Sequence, residues 1–348
     1  MFYQTRLPEN FEQLSKKHQG WYQKKFKYSL SILKSKKLKQ VFITNSGLLV
    51  HNFLLPLKSA ENLIGTYDYT FYYKHWRKAI EQFLVCKFGK SLNSIKYNQK
   101  NIEYFTIQTP WFGYFSWLTT YLPRLISIQQ KYPHAVLLLP QEIAEISYVK
   151  DTLSNKQNLN IEIVPKNHHI FVKNYIFQQV RPWTSKFFPE DISNVRSFFN
   201  VDEGQKRQKR IYISRSKAKR RKIINEAKFE SFLLSHHFEI VHLEDLTVKQ
   251  QVDLMSQAEI VISLHGAGLT NCLFMPPKSV VIELIPEIDK IQDFRFPFWR
   301  ISSIVELYYY ALFCETKDEN EVDLYERNVT VSIKEIQQII EQLLPDMH

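Results

Sequence analysis

Apolar residues recur along this chain in two rhythms, and the rhythms assign elements most sharply in its second half. Arg210 to Ser214 reads as a strand, and Asn225 to His236 carries Phe229, Phe232 and Leu233 on one helical stripe. Phe238 to Leu243 reads as a second strand, after which Thr247 can cap a helix bearing Val248, Val252 and Met255. Glu259 to Leu264 is a third strand, followed by the small-residue turn Gly266-Ala267-Gly268, a stop at Pro276-Pro277, and a strand from Ser279 to Leu284. Strand, helix, strand, helix, strand and glycine turn predict a doubly wound parallel sheet. Ser332 and Glu335 make a capping-box pattern ahead of Ile336, Ile339, Ile340 and Leu343, which predicts a terminal amphipathic helix.

The first half has the same α/β character. Gln40 to Val50 and Ile102 to Gln108 run in strand fashion, Lys74 to Phe88 and Phe115 to Gln130 show helical spacing, and Ala135 to Leu139 and Asn160 to Val164 read as further strands. A chain of 348 residues exceeds what one core usually organises. The polar, basic stretch Asp202 to Lys209 is the expected linker, dividing the chain into 1–204, an acceptor-side α/β domain with a basic amino-terminal segment, and 205–348, a Rossmann-like domain with the terminal helix.

Composition excludes a disordered chain, because 44% hydrophobic and 14% aromatic residues can offset chain entropy. No apolar run is long enough for a membrane span, and the first residues carry Arg6, Glu9, Glu12, Lys16 and Lys17 without a signal-like apolar stretch, so a cytoplasmic protein is expected. Cys86, Cys272 and Cys314 have no metal-ligand spacing and are expected as reduced thiols. The net charge of +11 is concentrated: residues 1–40 hold ten Lys and Arg, and 205–222 hold ten more with no acid. Such runs attract polyanions, whether nucleic acid, anionic lipid or a nucleotide diphosphate.

The glycine turn chooses among these partners. In doubly wound sheets ligands bind beyond the carboxyl ends of the strands, where a small-residue turn lets backbone N–H groups reach a phosphate. His265, Gly266, Ala267, Gly268, Leu269, Thr270 and Asn271 form that turn; read alone, the same residues also suit a tight turn with a core-facing histidine. Arg215 directly follows a strand and offers a guanidinium fork for phosphate oxygens, while Glu283 at another strand end can accept two ribose hydroxyls. Taken separately, Arg215 could be surface charge and Glu283 a strand cap.

Five segments in order, Ile211 to Arg215, Arg221 to Glu226, Leu264 to Asn271, Phe274 to Pro277 and Val280 to Leu284, resemble the signature of glycosyltransferase family 61, including its bacterial capsular-polysaccharide members. Pro110-Trp111, Tyr114, Trp117 and Leu122 to Arg124 resemble the family's more variable first-half motif. The resemblance implies an α/β, GT-B-like architecture, two Rossmann-like domains facing across a cleft. It implies an inverting transferase that binds a nucleotide sugar, UDP-linked, through Arg215, Arg221, His265 to Asn271 and Glu283. A glycan or lipid-linked glycan acceptor would lie against Trp111, Tyr114, Trp117 and Arg124. Arg215 and His265 would stabilise the departing diphosphate with no metal and no cofactor beyond the sugar nucleotide. Where some relatives have histidine, this chain has Thr109 and Ser116, so the base is open; Asp68 and His75 are candidates, with His265 as rival. Glu287 with Asp289 and Glu321 with Asp323 are the nearest approaches to a metal-binding acidic pair, and neither falls on the expected rim.

Two other readings stand beside the enzyme: a degenerate transferase that only binds a sugar nucleotide or glycan, and a nucleic-acid-binding protein using the basic runs, which leaves the glycine turn unexplained. The segment 1–40, with Trp21, Tyr22, Phe26 and Leu30 among its cations, is expected to favour contact with an anionic membrane at its inner face.

Overall fold

The structure is a computed structural model, and it describes residues 1–30, 34–45, 49–50, 84, 93–107, 112–154, 159–178, 186–201, 204, 206–287, 296–316 and 327–344. The chain forms two compact units, one of Met1–Leu30 with Ser185–His348 and one of Ser31–Thr184. The boundary expected at 204/205 is therefore displaced, and the amino-terminal segment belongs with the carboxyl-terminal half.

In the larger unit, six strands among the described residues lie in the order Glu239–Val241, Lys209–Ile213, Ala258–Leu264, Val280–Pro286, Tyr308–Thr316, Val329–Thr330. The first five are parallel and the last is antiparallel. Numbered along the chain, the parallel strands run 2-1-3-4-5, a doubly wound order whose switch point lies between Lys209–Ile213 and Ala258–Leu264. Period two sends Ile260, Ile262, Leu264, Ile282 and Leu284 into one core with Phe229 and Leu233 of the helix Glu226–Ser235 and Ile336, Ile339 and Ile340 of the helix Ile333–Leu343. Thr247 caps the helix Val248–Met255 in a capping box with Gln250, and Ser332 accepts from the Glu335 N–H, as the sequence pattern predicts. Alternation puts Glu283 on the face opposite Ile282 and Leu284, between Ser263 and Ala311 of its neighbouring strands.

The segment Met1–Leu30 closes an exposed edge of this sheet. Glu9 N–H donates to the Tyr309 carbonyl at 2.8 Å, while the Asn10 side chain both donates to the Ala311 carbonyl at 2.8 Å and accepts from its N–H at 3.1 Å. Strand groups that would otherwise be left unpaired are thereby satisfied. His18 stacks on Phe313 at 3.5 Å between ring centroids, and Tyr22 meets Trp299 edge-on at 4.7 Å. Trp21, Tyr22 and Leu30 are buried and Phe26 is half-buried. Most of the stripe expected to face lipid is thus spent inside the protein, while the lysines of the segment are exposed along with Phe2 and Leu7.

The unit Ser31–Thr184 carries a mixed sheet. Its central strand, His169–Gln178, pairs antiparallel with Ser35–Ile43 and parallel with Ser94–Tyr97 and Tyr104–Phe105, beyond which Val136–Pro140 and Ile161–Val164 continue in parallel. The antiparallel pairing departs from the all-parallel sheet of a simple Rossmann half. A helical run from Tyr114 to Lys131 includes a π turn over Trp117–Tyr121. The helix expected over Lys74 to Phe88 lies outside the described residues apart from Leu84. Among the described residues no helix is long and apolar enough to cross a membrane.

Candidate active site

The switch point places two loops side by side, because Ile213 stands in register with Ser263 and the chain leaves both strands immediately afterwards, through Ser214-Arg215 and His265-Gly266. Ser214 and the Arg215 N–H both bond the Glu226 carboxylate, at 2.8 and 3.3 Å, and Tyr212 donates to it at 3.1 Å. A carboxylate in the first turn of a helix is favoured by the dipole, so Glu226 anchors the strand end against the helix Glu226–Ser235. Burial, reinforced by Glu226, pushes the Tyr212 phenol well up and keeps it a donor.

Arg215 is aimed by carbonyls. Its Nε donates to the Arg221 carbonyl at 3.0 Å and one terminal nitrogen to that of Arg220 at 3.3 Å. Arg221 has a left-handed φ of 57°, which a non-glycine residue adopts at a cost, and its own guanidinium donates to the His265 carbonyl. Arg221 thereby ties the basic loop to the glycine turn. Gly266 leaves the room for this: a Cβ there would lie 2.8 Å from the Arg215 terminal nitrogen and 3.5 Å from that of Arg221. The rim is a pair of half-buried guanidiniums over a glycine, beside the N–H groups of Ala267 and Gly268 at the head of the 3-10 helix Ala267–Phe274, where intrahelical partners run out.

Beneath the rim, His265 Nδ1 hydrogen-bonds Glu283, and the other oxygen of Glu283 accepts from the Tyr309 hydroxyl at 2.5 Å. Glu283 is only 2% exposed. The direct ribose contact expected of Glu283 is therefore replaced by a supporting one, since its oxygens are committed inside the protein. Tyr309 was not among the sequence candidates. Its signal was faint, one aromatic in the run Tyr308 to Tyr310, and only the register reveals that it lies diagonally across from Glu283.

Four further expectations change. Leu269, Thr270 and Asn271 are fully buried, and Asn271 bonds Gln251 and the Gly268 carbonyl, each at 3.0 Å, so they seat the turn instead of touching a ligand. Gly268 faces the core, where an added Cβ would meet Leu243 at 3.3 Å and Ile213 at 3.5 Å, and its φ is not left-handed. In the other unit Trp117 is 0% exposed and donates to Thr152 at 3.0 Å. Arg124 is buried against the Gln178 carbonyl at 3.0 Å, and burial pulls its guanidinium below the ordinary value despite Tyr175 and Tyr121. Neither presents its side chain to an acceptor. Tyr114 stays half-buried, packed edge-on against Tyr148 at 5.4 Å. Trp111, Thr109, Asp68, His75 and Cys86 lie outside the described residues.

Cys272 and Cys314 are buried free thiols. Glu287 accepts from Lys17 at 2.7 Å and bonds His18 at 3.1 Å, and although burial alone would raise it, these partners hold its carboxyl below the usual range. Asp289, Glu321 and Asp323 lie outside the described residues. Among those described, no three His, Cys, Asp or Glu side chains are grouped to hold a metal ion.

A basic rim over a glycine turn at a doubly wound switch point has the charge and the open backbone that a phosphate would need. Residues 114–282 match the model of the Glycosyltransferase 61 family. The matched segment is a little under half of the chain; it contains Arg215, Arg221 and His265 and stops one residue before Glu283. Over 118 residues the chain is 33% identical to the protein O-linked-mannose beta-1,4-N-acetylglucosaminyltransferase 2 of Xenopus laevis, covering 32% of this chain and 20% of that protein. Against the Homo sapiens protein of the same name the identity is 39% over 75 residues, 20% of this chain and 13% of that one. The chain thus aligns with about a fifth or less of the length of these animal relatives.

Proposed function

We propose that this protein is an inverting glycosyltransferase that moves a sugar from a UDP-linked donor to a hydroxyl of a glycan or lipid-linked glycan, without a metal. The observation that carries the reading is the pair Arg215 and Arg221 held over Gly266 at the switch point. In transfer, the acceptor oxygen bonds to the anomeric carbon, the carbon–oxygen bond to the diphosphate breaks, and that electron pair goes to the diphosphate. The two guanidiniums and the N–H groups of the glycine turn oppose the developing negative charge, an effect strongest in a water-poor crevice. The acceptor proton goes to a base. The acceptor is proposed to enter from the Ser31–Thr184 side of a GT-B cleft, near Tyr114.

The name of the relatives supports N-acetylglucosamine as the first sugar to try. Cytoplasmic placement and a part in surface or capsular polysaccharide assembly belong to this proposal and rest on the sequence resemblance. A thermal-shift series with UDP, GDP, CMP and a short oligonucleotide tests it: stabilisation should follow the logarithm of UDP concentration. Stabilisation by the oligonucleotide alone would favour a nucleic-acid-binding protein. UDP binding without transfer from UDP-N-acetylglucosamine or other UDP-sugars to any glycan acceptor would favour a binding-only relative.

The two glycines should respond differently. Gly266→Ala is expected to displace the flexible end of Arg215, lowering UDP affinity about tenfold with a stability change within about 1 kcal/mol. Gly268→Val should instead overpack Ile213 and Leu243 and lower stability by about 1–3 kcal/mol. Melting and calorimetric titration of both variants separate the outcomes. Equal affinity in Gly266→Ala and wild type would remove the turn from the site.

A further inference from the structure

The basic loop holds more cations than the rim uses. Arg215 and Arg221 turn toward Gly266 and Lys217 pairs with Asp245, but Lys219, Arg220 and Lys222 are exposed and, among the described residues, pair with no carboxylate. The loop is pinned at its far end. Lys222 N–H donates to the Asn328 side chain at 2.8 Å, the Lys222 carbonyl accepts from Val329 N–H at 2.9 Å, and Ile224 N–H donates to the Val329 carbonyl at 2.8 Å, which holds the chain extended in a parallel bridge at Ile223. Side chains alternate in an extended chain, and Ile223 points into the core with 3% exposure. Lys222 and Ile224 therefore share the outer side, where Ile224 is 49% exposed.

The helix that follows, Glu226–Ser235, continues this surface. Phe229 and Leu233 enter the core, and both acids of the helix turn in on the Ser214 hydroxyl, which lies 2.8 Å from Glu226 and 3.1 Å from Glu230. The outward positions are Ala227, Lys228, Ser231, Leu234 and Ser235, at the three- and four-residue spacing of one helix face, and Leu234 is 57% exposed. Between Lys219 and Leu234 the outer surface thus presents four cations and two bare aliphatic side chains, with the helix's own acids facing the other way. Cations alone would suit any polyanion. Cations set around exposed aliphatic tips suit an anionic bilayer, where headgroup phosphates take the charge and the acyl boundary takes Ile224 and Leu234.

We propose that the loop 219–224 and the outer face of the helix Glu226–Ser235 dock on an anionic lipid bilayer. This surface takes the place of the segment 1–40, whose aromatic stripe is mostly buried. Docking itself does not depend on the transferase reading; its use, bringing the Arg215 rim to a lipid-linked acceptor, rests on it.

Sedimentation of the full chain with vesicles of phosphatidylcholine, alone or mixed with phosphatidylglycerol, makes the test. The wild-type protein should bind only the anionic vesicles, and salt should weaken the binding. The variant Lys219→Gln, Lys222→Gln, Lys228→Gln should bind them about 100-fold more weakly, at about fivefold for each lysine, with wild-type affinity for UDP. Lys24→Gln, Lys25→Gln, Lys27→Gln removes the same charge from the first segment and should weaken vesicle binding by less than about fivefold. Ile224→Ser with Leu234→Ser keeps every charge; it should weaken vesicle binding about tenfold and leave the binding of a short oligonucleotide unchanged. Equal losses in the two lysine variants, or wild-type vesicle binding in the loop variant or the aliphatic variant, overturns the proposal. A wild-type protein that binds the oligonucleotide and ignores the vesicles overturns it in favour of a nucleic-acid surface. Failure of every form to bind UDP or transfer sugar, with vesicle binding as stated, overturns the transferase reading and leaves the docking intact.

Discussion

Arg215→Ala is expected to lower UDP affinity by about 10- to 100-fold, because a charge-assisted phosphate contact is typically worth about 1.5–3 kcal/mol. Stability should hardly change. The carbonyls that Arg215 occupies belong to Arg220 and Arg221 in a loop open to solvent, and water can replace the guanidinium there. Arg215→Lys should recover only part of the loss, since an ammonium cannot bond two carbonyls and a phosphate in the fixed geometry of the fork. Calorimetric titration with UDP, beside a melting curve for each variant, makes the check. Wild-type affinity in a folded Arg215→Ala protein would take the arginine out of the site.

The second large effect is expected where sequence reading placed an acceptor contact. Trp117→Ala should destabilise the Ser31–Thr184 unit by about 3–5 kcal/mol, the usual consequence of removing a large buried aromatic. The indole is fully enclosed, its N–H donates to Thr152 at 3.0 Å, and Phe112 packs against it at 5.9 Å between centroids. Denaturant unfolding should show the loss directly. A variant with wild-type stability and a raised KM for acceptor alone would restore Trp117 to the binding surface.

Much of the larger unit was legible before any coordinates, and the reason is local. Its strands are short apolar runs bounded by turn residues, and Thr247 and Ser332 announce helix starts by bonds made within three or four residues. Arg215 and the glycine turn could be placed because each directly follows such a strand. The other unit was less legible. His169–Gln178, its central strand, is held by partners as distant in sequence as Ser35, and the pattern HIFVKNYIFQ mixes buried and polar positions.

Within the site, the sequence by itself determined which residues cluster at the strand ends, since a doubly wound alternation brings the carboxyl ends of parallel strands to one rim. It also supplied the cations and the small residues of the proposed phosphate site. Tertiary structure decided their directions. Gly266 turned out to make room for Arg215, and Gly268 to fit against Ile213 and Leu243, a distinction that two glycines separated only by Ala267 cannot express in sequence. Glu283 became a partner of His265 and Tyr309 because strand pairing sets Val281 beside Tyr309 and leaves the carboxylate on the buried face. The basic first segment, whose charge suggested a membrane, became the cover of a sheet edge three hundred residues away, because unpaired strand groups and the apolar faces of Trp21 and Tyr22 satisfy one another only when the chain folds back on itself.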